Sequence, residues 1–315
     1  MKKRILGLMT FLTILVINQK LLSQNTNIEI THKRNPDKSV DFYYTKKLPG
    51  SYYLKLEFPN LENCYQTNFE GVIKNSTGRL LKLEPINKEQ HVNFSYTIFS
   101  IRGNPNPKID KNFIYVLPFK VGKSINIIKS SSLKEEYFNA KKNLNWNSFI
   151  VDRISADTIF NMRKGIVIEI IDEFKTDSLD AYKYTSKMNK IFIEHEDGTI
   201  SRYIGFNGKS IFVKLGQTVY PQTKLGVLDI FNNSIYRLYF DIYYLKKINF
   251  DSIEKRTLSS ADQSEYLNPY FYTTNGPITL KNKNENIVEI DETIRLKEFT
   301  KREKKLYKKS PQTFE

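Results

Sequence analysis

SIYRLYFDIYYL, residues 234–245, reads as a β-strand, because its apolar and polar side chains change places with a period of two. Leu238, Phe240 and Ile242 share one face, and Arg237, Tyr239 and Asp241 share the other. The first set has the composition of a core face. The second is either a site or a polar surface, and the rest of the chain has to decide between the two.

Short alternating segments of the same kind fill the sequence on the N-terminal side. VDFYYT (40–45), YYLKLEF (52–58), FEGVIK (69–74) and VNFSYTIF (92–99) are separated by turn clusters such as Asn35-Pro36-Asp37 and Asn75-Ser76-Thr77-Gly78. That spacing predicts a mostly β fold whose first part, residues 25–110, is a β-sandwich-like domain. GNPNPKID (103–110) is the expected boundary, since Gly, Asn and two prolines break any regular element there. Beyond it come further strands, among them SFIVD (148–152), GIVIEIID (165–172), KIFIEHE (190–196), SRYIGF (201–206) and SIFVKLG (210–216). Asp197-Gly198 marks a hairpin between two of them. These define a second domain over 111–250, followed by an extension over 251–290. Lys297 to Lys309 carries seven cations and two anions, so residues 291–315 are expected to be a solvated charged helix or tail.

The bulk composition narrows the setting. With 315 residues, 40% hydrophobic and 13% aromatic, the chain can bury a core and is not globally disordered. Lys2, Lys3 and Arg4 precede an apolar run from Ile5 to Ile17. That run suits a signal peptide, expected over residues 1–24, and is shorter than a membrane-spanning helix requires. The expectation is therefore an exported protein of the periplasm or cell envelope, with no stable membrane span once the leader is cut. Cys64 is the only cysteine, so no internal disulfide can form, and a small buried filler is its expected role. The formal net charge of +15 favours anionic envelope partners; nucleic acid is not expected for an exported chain.

Four stretches in order carry a resemblance: DTIFNMRKGIVIEI (157–170), IFIEHEDGTISRYIGF (191–206), IFVKLGQTVYPQTKLGVL (211–228) and YRLYFDI (236–242). Together they resemble the lysostaphin-type, LytM-like zinc metallopeptidases, peptidase family M number twenty-three, over about residues 113–245. The resemblance implies a two-layer β-sheet domain with a shallow groove, in which a zinc ion activates water to cut a cell-wall peptide. It implies zinc ligands from a loop His, an Asp, and the second His of an H-x-H closing strand. The first His of that strand and a His after the D-G-T hairpin assist the water. Two imidazoles spaced i, i+2 lie on one strand face and can serve one tetrahedral metal.

The same positions here hold other chemistry. The closing-strand pair falls on Arg237 and Tyr239, the position after D-G-T on Gly205, and the loop His near Asn139 or Asn143. Only Asp152 keeps a family ligand. The chain has three histidines, His32, His91 and His195; the first two lie in the N-terminal domain, and His195 matches a family position that is not a ligand. Asp152, Gly205, Arg237 and Tyr239 are thus read as vestigial positions, with no cofactor, no zinc and no catalytic residue.

The expected function is that of a catalytically inactive, peptidase-like envelope protein that binds peptidoglycan or regulates a cell-wall hydrolase. Arg202, Tyr203, Arg237 and Tyr239 are its candidate groove-binding residues, Arg for its carboxylate fork and Tyr for its ring and hydroxyl. Against that role stands a local one, in which Arg237 pairs with Asp241 and Tyr239 covers the sheet. A second function is a hydrolase with an altered site drawn from Asp152, Asp241, Glu194 and Glu196. Glu194 and Glu196, alternating along a hairpin strand, are expected to face solvent, which weakens that option. A third is an envelope scaffold acting through the N-terminal domain.

Overall fold

The computed structural model describes residues 27–129, 147–175, 187–232, 234–246 and 264–314. The expected leader, Asn139, Asn143 and the single Trp146 lie outside the described residues. The fold is mostly β.

Six strands come first: β1 (Ile28–Arg34), β2 (Val40–Lys46), β3 (Tyr52–Glu62), β4 (Phe69–Ile73), β5 (Thr77–Leu83) and β6 (Asn93–Arg102). They form two antiparallel three-stranded sheets, ordered β1-β2-β5 and β4-β3-β6. The alternation of VDFYYT turns Val40 and Phe42 inward, where they meet Leu56 and Phe58 of the other sheet. The Phe42 ring meets Phe58 and Phe94 edge-on, each at 5.2 Å, the arrangement the ring quadrupole favours. Cys64 packs half-buried at the rim of this layer, and burial pushes its thiol pKa up. It fills space.

The remaining strands are β7 (Ile114–Val116), β8 (Ser124–Lys129), β9 (Ser148–Arg153), β10 (Thr158–Phe160), β11 (Gly165–Ile171), β12 (Asn189–Glu194), β13 (Ile200–Ile211), β14 (Thr218–Val219), β15 (Lys224–Leu228), β16 (Ile230–Asn232), β17 (Ile235–Leu245), β18 (Ser264–Tyr266), β19 (Tyr270–Thr273), β20 (Gly276–Thr279) and β21 (Asn284–Ile287). The main sheet runs β14-β11-β12-β13-β17-β9-β8-β21. Strands β10 and β15 pair with each other beside β13, and β20-β19-β7 forms a small separate sheet. The hairpin at Asp197-Gly198 joins β12 to β13; Gly198 supplies its φ of +87°, and His195 N–H bonds the Thr199 carbonyl at 2.8 Å. Where the sequence suggests two strands over 201–216, β13 runs unbroken to Ile211 and residues 212–216 leave the sheet.

The strand quoted at the outset is β17, flanked by β13 and β9 in the middle of the main sheet. Leu238, Phe240 and Ile242 are fully buried, each a contribution of about 1.5–3 kcal/mol from apolar burial. Phe240 stacks on Phe149 of β9 at 5.2 Å and meets Phe271 of β19 edge-on, so the small sheet closes one side of the same core.

The C-terminal residues correct one expectation. Two helices form, α1 (Glu292–Arg295) and α2 (Lys301–Lys309), the second opened by a Thr300–Glu303 capping box. The charged helix Lys301–Lys309 is itself largely exposed and buries none of its residues, but the segments on either side of it are docked. Phe299 and Phe314 are buried, and their rings lie 4.8 and 4.6 Å from that of Tyr220. Arg163, itself buried, grips Glu298 through Nη2 and Nε at 2.6 and 3.0 Å. Seven cations on a short segment hide the two aromatic residues that anchor it.

Candidate functional site

The site face of β17 is built by cross-strand pairing. In the antiparallel register, Arg237 lies opposite Asp152 of β9, and Asp241 lies opposite Arg202 of β13. Opposed residues on one sheet face bring their Cβ atoms to within about 5 Å, close enough for a charged pair. Arg237 takes Asp152 side-on, Nε to Oδ1 at 2.5 Å and Nη2 to Oδ2 at 2.7 Å. Arg202 takes Asp241 in the same way, at 3.2 and 2.5 Å. The local pairing expected between Arg237 and Asp241 is therefore corrected: neighbouring strands supply a carboxylate directly opposite each arginine, nearer than one further along its own strand.

The two pairs differ in depth. Asp241 is 1% exposed, and burial raises its pKa against the pull of Arg202. Arg237 and Asp152 keep 21% and 30% side-chain exposure. Burial tends to lower the Arg237 pKa, but its bonds to Asp152 and Tyr239 override this and the net shift is upward. The guanidinium also lies over the Phe231 ring at 4.3 Å, with Nη1 3.3 Å from the Tyr239 hydroxyl. Phe231, from β16, carries no sequence signal that marks it; only its delivery beside Arg237 by the turn into β17 makes it part of the site.

The remaining candidates are placed plainly. Arg202 shares the Arg237 face but sits opposite a point four residues along β17, about 13 Å away at 3.3 Å per residue. Tyr203 is on the opposite face and wholly buried; its hydroxyl accepts from Met162 N–H and donates to Asn161 Oδ1, each at 3.0 Å. It is a core residue and leaves the candidate list, because the period of two that exposes Arg202 must bury its neighbour. Gly205, φ +119°, passes so close to β17 that a Cβ there would stand 2.2 Å from the Arg237 carbonyl oxygen.

These residues do not fit zinc. A guanidinium and a phenol stand where the resemblance implies imidazoles, and both Asp152 oxygens are bonded to that guanidinium. Among the described residues no three His, Cys, Asp or Glu side chains gather as a ligand set. His195 is buried between the Lys164 carbonyl, 2.7 Å from Nδ1, and the Ser201 hydroxyl, 2.6 Å from Nε2.

The carboxylates of the altered-site hydrolase are also engaged. Glu194 is buried, not facing solvent as expected, because the N-terminal sandwich covers it: Ser51 N–H donates to Oε2 at 2.7 Å and the Ser51 hydroxyl bonds Oε1. Burial raises its pKa, and the Ser51 bond opposes the shift. Glu196 is exposed and pairs with Lys74. A cleft of about 470 Å³ opens beside Glu194, walled by Ser51, Lys164, Ile166, Glu298 and Glu303. Its carboxylates are already held, Glu298 by Arg163, and Glu303 by Lys164 and the Tyr220 hydroxyl.

No family model matches the chain, and no curated protein matches it. Solved structures do. A chain of the SpoIIQ–SpoIIIAH pore-forming complex is 15% identical, with a TM-score of 0.26, over 45% of this chain and 99% of that one. A candidate M23 peptidase from Pseudomonas aeruginosa is 15% identical at a TM-score of 0.26, over 60% and 82% of the two chains. A zinc-containing peptidase from Vibrio cholerae is 12% identical at 0.23, over 69% and 75%.

Proposed function

We propose that this chain is an exported, LytM-like protein of the cell envelope that has given up hydrolysis and uses the Arg237 face to bind peptidoglycan or to regulate a cell-wall hydrolase. One observation carries the reading: Asp152, at the implied Asp ligand position, is held in a side-on ion pair by Arg237, which stands at the implied water-assisting His position, and Tyr239 stands at the implied ligand His position. The cation there is part of the polypeptide. It has no exchangeable water, so it cannot lower a water pKa as zinc does. The core face of β17 is intact while its outward face has changed, and the two can diverge because they are separate residue sets.

Arg237, Tyr239 and Arg202 are the residues assigned to binding, and Tyr203 is withdrawn. Co-sedimentation with purified cell-wall sacculi tests binding, and digestion of sacculi by an amidase with and without the protein tests regulation. The reading expects no release of wall fragments by the protein alone, together with retention on sacculi or a changed amidase rate. Stoichiometric zinc in the purified protein, with hydrolysis by it alone, overturns the reading.

A further inference from the structure

We infer that the Arg237–Tyr239 corner is a preorganised receptor for a single carboxylate, an inference that rests on the reading of this face as a binding face. A guanidinium offers five N–H donors on fixed edges. Asp152 occupies the Nε–Nη2 edge of Arg237 with two bonds. The edge between Nη1 and Nη2 meets no carboxylate among the described residues; with Nε and Nη2 bonded to Asp152 and Nη1 to the Tyr239 hydroxyl, two of the five N–H groups, one on each Nη, remain to donate to a carboxylate.

Three contacts fix that edge in place. Asp152 locks the rotation, the Phe231 ring lies 4.3 Å below the guanidinium carbon, and the Tyr239 hydroxyl stands 3.3 Å from Nη1. The Tyr239 oxygen accepts from Nη1, which leaves its own O–H to donate to an incoming anion. The ordering cost of two long side chains is therefore met before a ligand arrives. Asp152 also places a negative charge near the ligand, so binding is weak and depends on directed bonds more than on net charge. The same carboxylate that orients the receptor limits its affinity.

The experiment uses the full chain and small probes. N-acetyl-alanyl-alanine, its C-terminal amide, and N-acetyl-aspartate amide are titrated while the side-chain ¹⁵N resonances of Arg237 are followed. The expected result is millimolar binding by one or both acids, with the amide at least tenfold weaker; comparison of the two acids assigns a chain terminus or an acidic side chain as the source. Arg237→Lys, which keeps the charge and loses the fork, should weaken binding at least tenfold. Asp152→Asn should strengthen it severalfold, an outcome that a purely structural role for the pair does not produce. Equal shifts from acid and amide on the unaltered protein overturn the receptor even if neither variant folds. If the protein still sediments with sacculi in that case, the fork is retired and the binding face stands; if sedimentation is absent too, both fall.

Discussion

The Gly205 Cα approaches β17 so closely that a Cβ would sit 2.2 Å from the Arg237 carbonyl oxygen. Gly205 and Arg237 thus constrain each other through the backbone, not through side chains. Putting a histidine at 205, as the resembled peptidases have, would need a φ of +119° and a displaced strand. Gly205→His, and equally Gly205→Ala, should cost at least about 2–3 kcal/mol. Urea denaturation followed by circular dichroism of the strands checks this, and a loss below about 1 kcal/mol means that β13 and β17 separate more readily than their spacing indicates.

Depth should separate the two Arg–Asp pairs. Removing Arg202 by substitution to Leu strands the carboxylate of Asp241 at 1% exposure, a change that costs about 3–5 kcal/mol. The Arg237–Asp152 pair is half open to water, so a double-mutant cycle through Arg237→Ala and Asp152→Ala should give a coupling of only about 1 kcal/mol. Equal sensitivity at both sites contradicts this ranking.

How much of this was legible in the sequence depended on the range of the interaction. The period of two in β17 correctly divides Leu238, Phe240 and Ile242 from Arg237 and Tyr239, since alternation is local. The partner of Arg237 was not local: Asp152 is reached only when β9 is laid antiparallel beside β17. Tyr203 is a different case: alternation alone puts Arg202 and Tyr203 on opposite faces, so they cannot both line one groove, and the pairing of Tyr203 with buried Phe240 shows which of the two faces the core. Glu194 was expected in solvent because its cover, Ser51, comes from the other end of the chain. The short β19 was missed altogether, and its parallel partner β7 lies far back in the sequence.

The docked C-terminal segment predicts a stability effect far from the site. Phe314 is 4% exposed at the last turn and packs against Phe299, Tyr307 and Tyr220. Phe314→Ala should destabilise the protein by about 3 kcal/mol if the cavity cannot close. Arg163→Leu should add protease sensitivity between residues 290 and 314, since it frees Glu298 and Asp197 together. Limited proteolysis with mass mapping reads both. Unchanged cleavage in both variants argues for the solvated tail that the charge pattern suggests.

His195 should control part of the acid limb of stability. Its Nδ1 faces the Lys164 carbonyl, which can only accept, so the neutral ring carries its proton on Nδ1 and accepts from Ser201 at Nε2. Burial first, and the nearby Arg163 charge second, push its pKa well below the ordinary value of 6.5. The unfolded chain therefore binds a proton near pH 6.5 that the folded chain refuses, and stability falls as pH drops below that point. The slope is about 1.4 kcal/mol per pH unit, so about 1.4 kcal/mol should be lost between pH 7.5 and 5.5. Glu194 works in the opposite direction at lower pH: its raised pKa lets the folded state take up a proton before the unfolded one does. The His195→Gln variant isolates the histidine contribution, because its stability should be flatter than that of the parent across pH 7.5 to 5.5. Long-range ¹⁵N spectra of the unaltered protein provide the direct check, with a neutral Nδ1–H ring persisting at pH 5.5. A charged imidazole at that pH, in a protein still folded, would mean that the buried pocket between β11 and β13 tolerates a second cation beside Arg163.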